Sequence, residues 1–229
     1  MNRIEFPSSP MELQVAYQRG EMQLLPLYRF DSFPLERREE GYTIGDLKNI
    51  TWFTRTLGDF PVQDETLCSQ TQKPPVPPNE AWVVDRIEMI FKSEIPQVHF
   101  VDHQVYNALT QGLVKLVRDR NEVLTWHVDR IMAMPEPFFD YSIRDNEALI
   151  DNVTRGIQHN PNYSSVFIPD APLYFRPESK FHFQYVPCEG LLTSIIELAH
   201  WEDKICLESS LLMRLTLRGR LYRPIYESV

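Results

Sequence analysis

Histidines are the first residues of this chain whose type and spacing invite chemistry. His99 and His103 stand four residues apart with Asp102 between them, and His127 and His182 fall further along. Two imidazoles and a carboxylate can hold iron or a similar metal, so His99, Asp102, His103 and His182 form the candidate metal set. The usual pattern in a β scaffold is two histidines one residue apart on a strand, or His-x-Asp with a distant His. Neither occurs here, and histidines this scattered read more simply as surface or core residues. Cys188 sits between Pro187 and Glu189-Gly190 without a neighbouring base to activate it. There is no Gly-x-Ser-x-Gly elbow and no phosphate-cradling glycine loop. The acid pairs Glu39-Glu40 and Asp64-Glu65 lie in polar stretches and read as solvated charge. The expectation is a chain with no catalytic residues, no metal site and no cofactor.

Arginines are the second group. Arg214, Arg218, Arg220 and Arg223 fall in one stretch with no acid between Leu211 and Tyr226. On a strand face they would either touch packaged nucleic acid or anionic lipid, or pair with acids of a neighbouring strand or subunit. A net charge of -9 favours pairing, because phosphate binding draws on clustered, uncompensated Lys and Arg.

The elements that would position these residues read as β. With 229 residues the chain suits one domain with a sizeable core. Eighteen prolines against eight glycines punctuate it where turns between strands are needed. Three cysteines, Cys68, Cys188 and Cys206, fit neither a zinc site nor a closed disulfide set, and imply reduced thiols in a cytoplasmic setting. No stretch has the apolar length of a membrane span, and residues 1–10 carry no secretory core.

Residues 1–48 show little periodicity. Pro7, Pro10, Pro26 and Pro34 interrupt them, and they read as an extended N-terminal arm. Ile50–Leu57 is rich in β-branched and aromatic residues, so it reads as a strand. Four prolines between Lys73 and Glu80 require a loop. Ala81–Lys92 alternates Ile87, Met89 and Phe91 with Arg86, Glu88 and Lys92, the pattern of a half-buried strand. Asp102–Gly112 predicts a short helix capped by Gly112, and Leu113–Val117 and Val123–Ile131 predict a hairpin across Asp119–Glu122. A helix over Asp145–Gly156, with Leu149, Val153 and Ile157 on one face, sits in an excursion near 134–162. Strand character returns at Phe167–Phe175 and Lys180–Val186. Leu191–Trp201 fits a helix or a strand equally. The last strand is clearest, with Leu211, Met213, Leu215, Leu217, Gly219 and Leu221 on one face and the arginines on the other.

The stretch from Leu215 to Ile225, closing on Gly219, Leu221 and the pair Arg223-Pro224, resembles the final strand of jelly-roll coat proteins of tailless icosahedral bacteriophages. Ala81–Phe91, following its proline-rich loop, is similar to the first long strand of that group. Ser179–Phe183 resembles a later strand. The resemblance covers 49–131 and 166–226 as a pattern. It implies an all-β jelly-roll β-sandwich with short helical insertions, arm 1–48 and domain 49–229. It also implies a capsid subunit of a virion, made in the host cytoplasm, that self-assembles into an icosahedral shell. Its partners would be copies of itself and other virion proteins, with Arg214, Arg218 and Arg220 facing packaged nucleic acid or an internal membrane. Two other classes fit the same strands: a cupin-like metal-dependent enzyme, and a non-catalytic binding module such as a viral fibre or tail component.

Overall fold

A computed structural model describes residues 6–59, 67–93, 100–131, 169, 171–199, 202–207 and 210–225. The described chain is mostly β. In order it runs α1 (Pro10–Gln18), β1 (Met22–Leu35), α2 (Ile44–Lys48), β2 (Thr51–Trp52), β3 (Ala81–Ser93), α3 (Phe100–Thr110), β4 (Leu113–Arg118), β5 (Asn121–His127), α4 (Val128–Ile131), β6 (Leu173–Phe175), β7 (Phe181–Val186), α5 (Glu189–Ala199) and β8 (Leu211–Pro224). Two antiparallel sheets of four strands result, ordered β1-β8-β3-β6 and β2-β7-β4-β5. Their inner faces share one apolar core, so the architecture is that of a β-sandwich.

The expected arm is the main correction. Met22–Leu35 is a 14-residue strand paired along its whole length with β8. Its alternation was hidden because two polar residues interrupt the inward row of Leu25, Leu27, Phe33 and Leu35, and two aromatic residues face out between them. Arg29 and Asp31 point inward, opposite Leu217 and Leu215, while Tyr28 and Phe30 point outward. The prolines fit because β1 is an edge. The Phe30 N–H points away from β8 and donates to the Ser69 hydroxyl at 2.8 Å. Pro26 and Pro34 lie four residues to either side, so their nitrogens face the same way and no ladder bond is lost. Ahead of this strand, Ser9 caps α1 by accepting from the Glu12 N–H, and Pro10 opens the helix. Leu13 and Ala16 then close a small second core with Met22, Ala81, Val83 and Tyr222 on the outer face of the first sheet.

Several boundaries also move. Only Thr51–Trp52 of the expected 50–57 strand pairs, with β7, because Phe53 turns the chain in the left-handed region at φ 65°. The strand expected to reach Ile131 stops at His127, and Val128–Ile131 is a helix whose first N–H donates to the Gly112 carbonyl. The ambiguous 191–201 stretch is helix α5. The hairpin turn stands, with Asp119 and Arg120 both at positive φ (49° and 70°), the twist that suits a two-residue hairpin. Gly112 follows α3 as expected. Its lack of a side chain also has another cause: a Cβ there would sit 2.5 Å from the Tyr185 ring, whose hydroxyl donates to the Leu109 carbonyl. The 145–156 helix and the 134–162 excursion lie outside the described residues.

Antiparallel pairing sends alternate connections to opposite ends of the sandwich. The β1–β2, β3–β4 and β7–β8 connections carry α2, α3 and α5 to one end, where Tyr42 bridges Ile205. At the other end, Asp119 N–H donates to the Lys180 carbonyl and Glu178 N–H to the Val76 carbonyl. Between the ends the core is aromatic: Trp52, Phe53, Trp82, Phe175, Phe181 and Phe183, with Phe175 stacked on Phe181 at 4.2 Å. Large rings fill such an interior with few voids and supply most of the burial energy.

Candidate functional site

The arginines of β8 find partners inside the same sheet. Arg218 Nε lies 2.9 Å from Glu88, and Arg220 lies 3.3 Å from Asp85. Arg223 bonds Glu80, the residue preceding β3. Arg214 donates to the Ser32 hydroxyl at 3.0 Å and stacks over Phe30, as Arg218 stacks over Tyr28. The acids therefore come from the neighbouring strand, as the negative net charge led one to expect. Which acids they are depends on a register shift between Val84 and Arg86, which no alternation count reveals.

Of the candidate metal set, His99 lies outside the described residues. Asp102 and His103 belong to the first turn of α3, while His182 is on β7 opposite Val117. Burial lowers the His182 pKa. Among the described residues no group of three His, Cys, Asp or Glu is placed to hold a metal ion. All three cysteines are free thiols. No described helix is long and apolar enough to cross a membrane.

Two features escaped the sequence reading. The first is a buried polar cluster along the edge of β1. Asp31 is fully buried, and one carboxylate oxygen accepts from the left-handed Phe53 N–H at 2.6 Å. Among the described residues the other oxygen has no hydrogen-bond partner. Cys68 bridges Asp31 through the backbone, Ser69 exchanges bonds with Phe30, and Arg55 donates to the Ser32 carbonyl at 2.9 Å. Segment 53–59 and segment 67–70 are thus clipped onto the outer edge of β1. Burial pushes the Asp31 carboxyl up to about 6, against the pull of the Phe53 N–H and the Arg55 charge. Burial and the neighbouring Asp31 likewise push the Cys68 thiol up to about 11, so it is no nucleophile near neutral pH.

Because the folded carboxyl titrates above its unfolded value, the folded state holds the extra proton. Its contribution is complete below pH ~4 and is lost as pH rises through about 6. Asp31→Asn keeps the acceptor for Phe53 and removes the charge. Urea unfolding should show the variant equal to wild type near pH 4, and more stable at pH 7.5 by up to roughly 3 kcal/mol. Equal stabilities at both pH values would show that Asp31 does not titrate in this window.

The second feature is a groove lined by β6 and the β4–β5 hairpin. It holds about 330 Å³. Leu116, Val123, Leu173 and Phe175 make its apolar wall, and Arg118 and Arg176 stand at its rim with Tyr174 and Ser8. The signal in the sequence was faint, since two arginines 58 positions apart meet only once β4 and β6 are paired into their sheets.

Compared with known proteins, this chain matches no protein-family model, no curated protein and no solved structure.

Proposed function

We propose that this chain is a structural subunit, a jelly-roll sandwich that assembles with copies of itself into the shell of an icosahedral virus. The observation that carries the reading is the strand order. Eight strands divide as 1-8-3-6 and 2-7-4-5, so each step from β1 to β4 and from β5 to β8 crosses between sheets, while β4 and β5 form a hairpin. That order is the one produced by winding a long hairpin of four strand pairs around a barrel, and such double-sheet rolls recur in viral coats.

Further support comes from β8, which lies between β1 and β3 and ends at Pro224, as the resemblance implies. A cupin-like enzyme would need histidines aimed into the roll. Phe181, Phe183 and Tyr185 are the buried positions of β7, and His182 alternates with them on the opposite face. The described interior is filled with aromatic rings. Contact with nucleic acid or membrane through Arg214, Arg218 and Arg220 has weaker support. Glu88 and Asp85 already face two of these guanidiniums.

Purified protein examined by light scattering and negative-stain microscopy, over a range of salt and concentration, should form closed shells or large symmetric oligomers. A strictly monomeric species under every condition would overturn self-sufficient assembly and move the reading to a β-sandwich binding module.

A further inference from the structure

The edges of the two sheets are treated differently. The outer edge of β1 carries Pro26 and Pro34 and is clipped by Cys68 and Ser69. Strands β2 and β6 are two and three residues long. Strand β5 has seven residues, six of them exposed, and carries neither Pro nor Lys. Among the described residues no strand pairs with its outer edge. A long edge is a template for another strand, and the guards on this one are a bulge at Val123 and the charge of Glu122. The register with β4 skips Val123, and that side chain, 49% exposed, lines the groove instead.

The groove beside this edge has a definite chemistry. Its volume is at the lower end of small-ligand sites, roughly 300 Å³ and upward. Its wall is apolar and its rim holds two guanidiniums. Arg118 makes one long bond to the Tyr174 carbonyl (3.4 Å) and lies 3.7 Å from Asp119, while Arg176 donates to the Ser8 carbonyl at 3.1 Å. A guanidinium has five N–H donors, and among the described residues these bonds use few of them, although Glu12 also acts on the Arg176 charge. Two guanidiniums lining one apolar groove suit a carboxylate, which each can bond through charge-assisted N–H donors.

We propose that the groove lined by β6 and the β4–β5 hairpin is a docking site for an extended, carboxylate-bearing peptide strand. The strand adds to the outer edge of β5, places an apolar side chain against Val123, Leu116 and Leu173, and sets its carboxylate between Arg118 and Arg176. Main-chain bonds to the edge supply affinity and the groove supplies selectivity, the division of labour seen in strand addition. The backbone edge favours a peptide over a lipid or a small carboxylate, neither of which can use it. The site needs no shell, so it operates whether or not copies of this chain assemble.

The test uses full-length protein with methyl-labelled Val and Leu, titrated with the peptide acetyl-Thr-Val-Thr-Glu-Thr-amide, whose Val and Glu share one face of an extended strand, and followed by NMR. Saturable shifts at Val123, Leu116 and Leu173 are expected. Replacing the peptide's Glu by Gln, or the protein's arginines as Arg118→Gln with Arg176→Gln, should weaken binding by about 5-fold or more, the effect of losing a charge-assisted hydrogen bond. Val123→Asp, at an exposed position that tolerates substitution, should abolish it. No saturable shift, shifts centred elsewhere, or equal binding of the Gln peptide would overturn the proposal. Hexanoate shifting the same methyls as strongly as the peptide would overturn it too, by making the groove a site for small amphipathic anions.

Discussion

Gly219→Ala should cost about 4 kcal/mol or more, enough to leave the sandwich unfolded or barely folded. Gly219 lies in the middle of β8, between β1 and β3. A Cβ built there collides with the Val83 carbonyl oxygen and sits 2.9 Å from the Asp85 nitrogen. Both neighbours are backbone, so no rotamer change relieves the overlap. The strands would have to separate where β3 shifts register between Val84 and Arg86. That shift reverses which residues of β3 face outward: Ala81 and Val83 before it, Arg86, Glu88 and Ile90 after it. It thereby brings Asp85 to Arg220 and Glu88 to Arg218. Gly190→Ala is the control. Among the described residues nothing lies within 4 Å of its added Cβ, and helix α5 should gain a few tenths up to about 1 kcal/mol. Circular dichroism during urea unfolding reads both. A Gly219→Ala protein with the wild-type midpoint would mean that β3 and β8 do not approach as described.

The contrast between β8 and β1 shows what made the fold legible. In β8 the buried positions Leu211, Met213, Leu215 and Leu217 alternate cleanly, so burial and sequence period coincide. In β1 the inward positions include Arg29 and Asp31, which meet groups far along the chain: Glu80 near Arg29, and the Phe53 N–H on one oxygen of Asp31. A polar residue inside a sandwich is tolerable only with such partners, and a local pattern cannot show partners that distant. Helix α5 was left open between helix and strand, and the stop at His127 was missed, for a related reason. Short apolar runs such as Leu191–Ala199 and Val123–Ile131 fit either period, and packing decides between them. The same logic governs the candidate sites. The arginine row was visible as a run in one strand, but its acids, the Asp31 cluster and the groove are products of pairing between elements.

Arg223→Met should destabilise the protein by about 3 kcal/mol, although Arg223 itself is 41% exposed. Exposed ion pairs usually contribute under about 1 kcal/mol, so the burial of the other partner decides the outcome. The Glu80 side chain is only 3% exposed. It accepts from the Trp82 indole N–H at 2.8 Å, lies 3.8 Å from Arg29, and takes both N–H groups of Arg223 on one oxygen. Removing Arg223 leaves a buried carboxylate held by one neutral donor and one distant cation, so its desolvation is no longer compensated. Adding Glu80→Gln to Arg223→Met removes that charge, keeps an acceptor for Trp82, and should recover at least half of the loss. The two changes are therefore strongly non-additive, with a coupling of about 1.5 kcal/mol or more in a double-mutant cycle. A surface pair would give a coupling near zero, and a cycle that closes within about 0.5 kcal/mol would show that Arg223 is not what holds Glu80 inside the sandwich. The pair matters to the architecture because Glu80 ends the proline-rich loop before β3 while Arg223 ends β8. It fastens the entrance of one central strand to the exit of the other, beside the small core that α1 closes with Ala81 and Tyr222.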